Sequence, residues 1–118
     1  MRLLFEIDTK DYDLNGGAFI RHSARCINIK NGLVAMVYSV KYDYYKFPGG
    51  GIEENESEEH AMIRETQEEA GLVVIPESIK EYGYVHRIQK AIMMMQTISF
   101  RTIITFFVML KKLYILKT

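Results

Sequence analysis

Two apolar-rich runs, residues 20–29 and 33–40, flank the dipeptide Asn31-Gly32. That pair tolerates positive φ at both centres of a type I′ turn, so the runs predict a β-hairpin. In the second run Val34, Met36 and Tyr38 alternate with Leu33, Ala35 and Val37, so both faces are apolar. Cover on both sides, and hence a central place in a sheet, is the expectation. An aromatic-rich stretch at 42–47 stops at Pro48, and Gly49, Gly50 and Gly51 then free the backbone for unusual conformations. This predicts a shaped loop.

Ser57 is placed to cap a helix, with Glu58 and Glu59 in a first turn where the dipole favours anions. The helix is predicted to run to about Ala70 and to end on Gly71. Ala61, Met62 and the stem of Glu65 form only a thin apolar stripe, which predicts a helix lying on a sheet face rather than in a bundle. Residues 72–75, before Pro76, and residues 82–88 each read as a strand. From Thr97 onward Ile98, Phe100, Ile104, Phe106 and Val108 alternate with Thr97, Ser99, Arg101 and Thr105. A further strand, bent along its length, is predicted there.

The 118 residues suit one domain, residues 1–118, with 48% hydrophobic and 25% charged positions. A net charge of zero gives no electrostatic case for a nucleic acid polymer or a membrane surface, so a phosphate-bearing ligand must be met locally. Cys26 is the single cysteine, which excludes an intrachain disulfide and predicts a buried thiol in a reducing, cytoplasmic setting. The first ten residues carry charges and lack the apolar core of a secretory signal. A transmembrane reading of 91–110 fails on Gln96, Ser99, Arg101 and three threonines. All fifteen acidic residues lie at or before Glu81, so the segment 91–118, with Met93, Met94 and Met95, is acid-free and atypical.

Glu65, Glu68 and Glu69 stand at i, i+3 and i+4, crowding three carboxylates onto one helical face. Such crowding destabilises a helix unless something positive compensates, and oxygen donors of this kind are what Mg²⁺ selects. Arg64 keeps its proton and can hold a neighbouring carboxylate in one orientation. Glu53, Glu54, Glu58 and Glu59 read instead as a solvated charge run. Glu56 is divided between a pairing with Arg64 and a metal role. His22, His60 and His86 lack metal-ligand spacing and are assigned no chemistry, and Tyr44 and Tyr45 are open to stacking on a base or to core packing.

After Gly50 come five residues and Glu56, then seven residues and Arg64, then Glu65-Thr66-Gln67-Glu68-Glu69-Ala70-Gly71-Leu72. This segment, residues 50–72, resembles the Nudix box, G-x5-E-x7-R-E-U-x-E-E-x-G-U with U aliphatic. Seven fixed positions agree, a coincidence of roughly one in a million at average residue frequencies. Thr66 departs at the first aliphatic position but has valine's shape.

The resemblance implies an α/β/α sandwich with a mixed β-sheet. It also implies hydrolysis of a phosphoanhydride bond in a small nucleoside diphosphate derivative. It implies that a carbonyl most similar to that of Gly49, together with Glu65, Glu68 and Glu69, holds Mg²⁺ or Mn²⁺. Glu65 and Arg64 are the candidates for catalysis, with Glu65 a candidate base. The acid-free tail departs from the family, which often supplies a later acid and a final helix. An incomplete C-terminal part, or a module that binds nucleotide without turning it over, is the alternative. An unpaired, apolar C-terminal strand would offer a homodimer edge.

Overall fold

The computed structural model describes residues 1–12, 18–90 and 98–111. Met93 to Met95 and the stretch 112–118 lie outside them, so those parts of the predicted atypical segment are not described. A five-stranded sheet is built from β1 (Leu3–Asp8), β2 (Ala18–Ile27), β7 (Gly49–Gly51), β8 (Lys80–Lys90) and β9 (Ile98–Phe107), in the order β1-β8-β9-β2-β7. The sheet is mixed, as expected. β9 runs parallel to β2 and antiparallel to β8, β1 is parallel to β8, and β7 is antiparallel to β2. Two small hairpins, β3 (Ile29–Lys30) with β4 (Leu33–Val34) and β5 (Val37–Ser39) with β6 (Tyr44–Lys46), lie between β2 and β7 in the chain.

The helix α1 (Glu58–Ala70) has the predicted ends: the Ser57 hydroxyl accepts from the His60 amide at 3.1 Å, and Gly71 closes it at φ 68°. Its buried residues are Ala61, Met62 and Thr66, so the stripe is thin and lies on a sheet, as the spacing implied. The core fills the space between helix and sheet, with Ala24 and Cys26 of β2 and Ile104 and Phe106 of β9 meeting Ala61 and Met62. Val74 and Val108 complete it. On the sheet's other face Thr105 is buried, and its hydroxyl donates to the Gly83 carbonyl at 2.7 Å, so its polarity is satisfied. One α-helix occurs among the described residues.

Asn31 and Gly32 take φ of 54° and 75° between β3 and β4, the geometry of the predicted turn. The run 33–40, however, is not a central strand. Leu33 is 75% and Val40 83% exposed, and the run divides between two hairpins outside the main sheet. The centre is occupied by β2 and β9, whose ten paired positions no two- or three-residue strand can match. Most apolar residues of the run stay exposed, and Tyr38 meets the Tyr45 ring with centroids 4.9 Å apart. The glycine triplet is an edge strand rather than a loop. Residues 72–75 supply only one bridge, Val74 with Leu110, before Pro76 opens a 3₁₀ turn. The stretch beyond Thr97 is a strand in the sheet's interior, so its described part offers no dimer edge. The edges are β1 and β7, and β1 was not anticipated. Among the described residues no helix is long and apolar enough to cross a membrane.

Candidate active site

The glycine edge strand and α1 face each other, and this brings Gly50 and Glu65 together. Gly50 pairs with Ala24, whose side chain joins the helix-facing core, so the missing Gly50 side chain leaves room on that same face. Glu65 fills it: a Cβ on Gly50 would lie 2.6 Å from Glu65 Cδ and closer still to Oε2. The carboxylate of Glu65 therefore rests on bare backbone, a position that one methyl group would deny it.

Arg64 organises the cluster. Its Nε and Nη2 donate to the two oxygens of Glu56 at 2.7 and 2.8 Å, a bidentate clamp of the strongest kind. Nη2 also donates to the Gly51 carbonyl at 3.2 Å, and Nη1 reaches Glu65 at 2.9 Å and Glu68 at 3.1 Å. Glu56 is thus the structural partner of Arg64, and its side chain is only 7% exposed. It accepts in addition from the Glu53 amide at 3.0 Å and contacts His60 Nδ1 at 2.7 Å, which gives one histidine a role that its spacing had not shown.

The third glutamate turns another way, with Glu69 pairing to Lys46 of β6 at 2.9 Å. Arg64 and Lys46 together are the positive charge that three crowded carboxylates demand. Among the described residues no three acidic, histidine or cysteine side chains converge on a single point. The Gly49 carbonyl receives Arg25 Nη1 at 3.4 Å. Glu58 and Glu59 are exposed, in keeping with a solvated run, although Glu53 lies 3.7 Å from Arg64. Cys26 is fully buried and accepts from the Thr66 hydroxyl at 3.5 Å. Burial pushes its thiol up, which suits a packing residue and not a nucleophile. Tyr44 and Tyr45 are both exposed, so neither belongs to the core.

The Arg64 clamp holds the Glu56 carboxyl well below the usual carboxylate range, and the Glu53 amide adds to the effect. A carboxyl depressed in the folded state contributes stability above its ordinary value, 4.5, and loses it as pH falls through the folded value. Glu56→Gln is therefore expected to lower Tm at pH 7 and to flatten the fall of Tm below about pH 4.5. Thermal melts from pH 7 to pH 3 check this: a variant curve parallel to that of the unaltered protein would show that the clamp is not what acid breaks.

The profile of the NUDIX domain matches residues 21–111, more than half of the chain. The chain belongs to the NUDIX family. Among solved structures, it is similar to the MutT NUDIX hydrolase from Burkholderia pseudomallei, with a TM-score of 0.66 and 16% identity over 80% of this chain and 70% of that one. It is also similar to the mutator MutT protein from Bacillus halodurans, with a TM-score of 0.62 and 22% identity over 75% of this chain. The chain spans 55% of that protein, about half its length. At these identities the likeness is one of fold. No curated protein matches the chain.

Proposed function

We propose that this chain is a divalent-metal-dependent hydrolase that cleaves a phosphoanhydride bond in a small nucleoside diphosphate derivative. The observation that carries the reading is the set Glu65, Glu68 and Glu69 on one face of α1, with Glu65 seated against the bare backbone of Gly50. The donor chemistry fits Mg²⁺, or Mn²⁺ in its place: carboxylate oxygens on one helix face, with the carbonyl of Gly49 as the backbone donor that the family resemblance implies. Two cationic side chains, Arg64 and Lys46, hold those carboxylates in this structure, and a divalent ion would compete with them. Bound there, the ion would neutralise phosphate charge and acidify water.

The chain's own groups supply the rest. Glu65 is the carboxylate we assign to take a proton. Arg64 is a positioning residue, since it acts through Glu56, Glu65 and the Gly51 carbonyl rather than on the reacting atoms. A reducing cytoplasm is the setting that a lone, buried cysteine suits.

Phosphate release from nucleotide sugars, dinucleoside polyphosphates and nucleoside triphosphates tests the reading. The expected result is turnover of at least one substrate that requires Mg²⁺ and stops with a chelator. Absence of turnover on all three classes, with folded protein, overturns it. A second reading, nucleotide binding without chemistry, rests on the acid-free stretch after Glu81. Calorimetry that finds binding and no product would select it.

A further inference from the structure

The register of the sheet sets three arginines abreast. Arg101 of β9 is paired with Arg21 of β2 on one side and with Arg87 of β8 on the other. Arg25, four residues beyond Arg21, points to the same face. That face is the one turned away from α1, because the alternate residues Ala24 and Cys26 enter the core beneath the helix. Like charges directly opposite on neighbouring strands destabilise a sheet. A fold normally relieves them with carboxylates.

No carboxylate does so among the described residues. Arg25 donates to the carbonyls of Phe47 and Gly49, and Arg87 Nε donates to Gln89 at 3.0 Å. Arg101 Nε is buried with no hydrogen-bond partner among the described residues. Burial, and then the charges of Arg21, Arg87 and Arg25, pull the pKa of Arg101 down, yet a guanidinium keeps its proton at neutral pH. The one acid outside the described residues is Asp13, a single charge against four. A buried, unpaired edge of a charged group is costly to keep unless a partner arrives.

Space for that partner exists. Arg21, Ser23, Arg25, Arg101 and Ile103 line a cavity of about 70 Å³, room for a group the size of about two waters, such as one phosphate. Arg21 also lines a larger cavity, about 460 Å³, that it shares with Gly51, Glu53, Glu54 and Glu56 at the margin of the box. A Cβ on Gly51 would stand 3.5 Å from Arg21 Nη2, so Gly51 brings bare backbone up to the guanidinium that joins the two spaces. Guanidinium forks match phosphate oxygens in pairs.

We propose that the Arg21, Arg25 and Arg101 face is a second phosphate site, joined to the box through Arg21, which seats the far end of a phosphate chain longer than a diphosphate. The link to a cleaved substrate rests on the hydrolase reading, but the anion site itself does not. Inorganic tripolyphosphate, pyrophosphate and phosphate, added to the full chain in the presence of a chelator, isolate it from the metal-dependent site.

Saturating tripolyphosphate is expected to raise Tm by about 5 °C or more and to do so better than pyrophosphate or phosphate. Arg21→Gln and Arg101→Gln each weaken its binding at least tenfold by calorimetry, whereas Glu69→Gln keeps the shift. Without ligand, Arg101→Gln melts no lower than the unaltered protein, because the row of like charges is relieved. Should that half-buried substitution fail to fold, the exposed Arg21→Gln still decides the matter. An absent shift, one equalled by sulfate at the same ionic strength, or one intact in Arg21→Gln overturns the site. So does a shift seen only in Asp13→Asn, which would make Asp13 the internal counterion. Turnover without this binding sinks the second site alone, and binding without turnover sinks the hydrolase reading alone.

Discussion

Glu69→Gln is expected to lower turnover by two to three powers of ten while leaving the fold intact. The carboxylate lies one turn from Glu65 and closes the acidic face of α1, and its present partner is Lys46, 2.9 Å away. Glutamine keeps the size and helix propensity of glutamate and removes one charge from the proposed metal wall. A loss of this scale is about 3–4 kcal/mol of transition-state stabilisation. Mg²⁺ binding, followed by calorimetry, should weaken in parallel. Glu58→Gln, in the exposed first turn, should change neither quantity. Equal effects from the two substitutions would remove the helix face from the mechanism.

The second large effect separates two adjacent glycines. A Cβ on Gly49 would come within 2.6 Å of Arg25 Cα and closer still to the Ala24 carbonyl, and Gly49 sits at φ 144°. Backbone cannot step aside, so Gly49→Ala should cost about 3 kcal/mol or more and lower Tm by about 10 °C or more. At Gly50 the obstacle is the Glu65 side chain, which can swing away. Gly50→Ala is therefore expected to melt near the unaltered protein and still lose about a hundredfold in turnover, the scale of misplacing a reacting group by about 1 Å. Circular dichroism melts beside the phosphate-release assay check both. If Gly50→Ala retained full activity, Glu65 would not need the seat that the bare glycine provides.

The parts legible in the sequence are those set by neighbours along the chain. Ser57, Gly71 and the positions of Ala61 and Met62 encode α1 within one stretch of fifteen residues, and Asn31-Gly32 encodes its turn in two. The clamp of Arg64 on Glu56 also lies within the box, although residue spacing left it undecided between a structural and a metal role. What was not legible depends on distant pairings. Residues 33–40 carry the apolar signature of a central strand, but β2 finds ten partners in β9, some eighty residues away. The glycines of β7 look like a loop because a strand without side chains has no alternation to read. The arginine row is invisible for the same reason: Arg21, Arg87 and Arg101 are neighbours only through register. The sequence hints at it only through the absence of acidic residues after Glu81.

The place of β9 has a consequence for how the protein is made. The strand that joins β2 to β8 is the last of the five to leave a ribosome, so the sheet cannot close until residue 107 is available. Until then β2 carries its helix-facing side chains without their main partners, and α1 has no complete surface to lie on. Pairings of such sequence separation are slow to form and leave apolar strands open to wrong partners meanwhile. A nascent chain arrested before residue 98 should therefore be protease-sensitive throughout the glutamate helix, although every residue of the box has already been synthesised. Protection should arrive in a single step once β9 emerges.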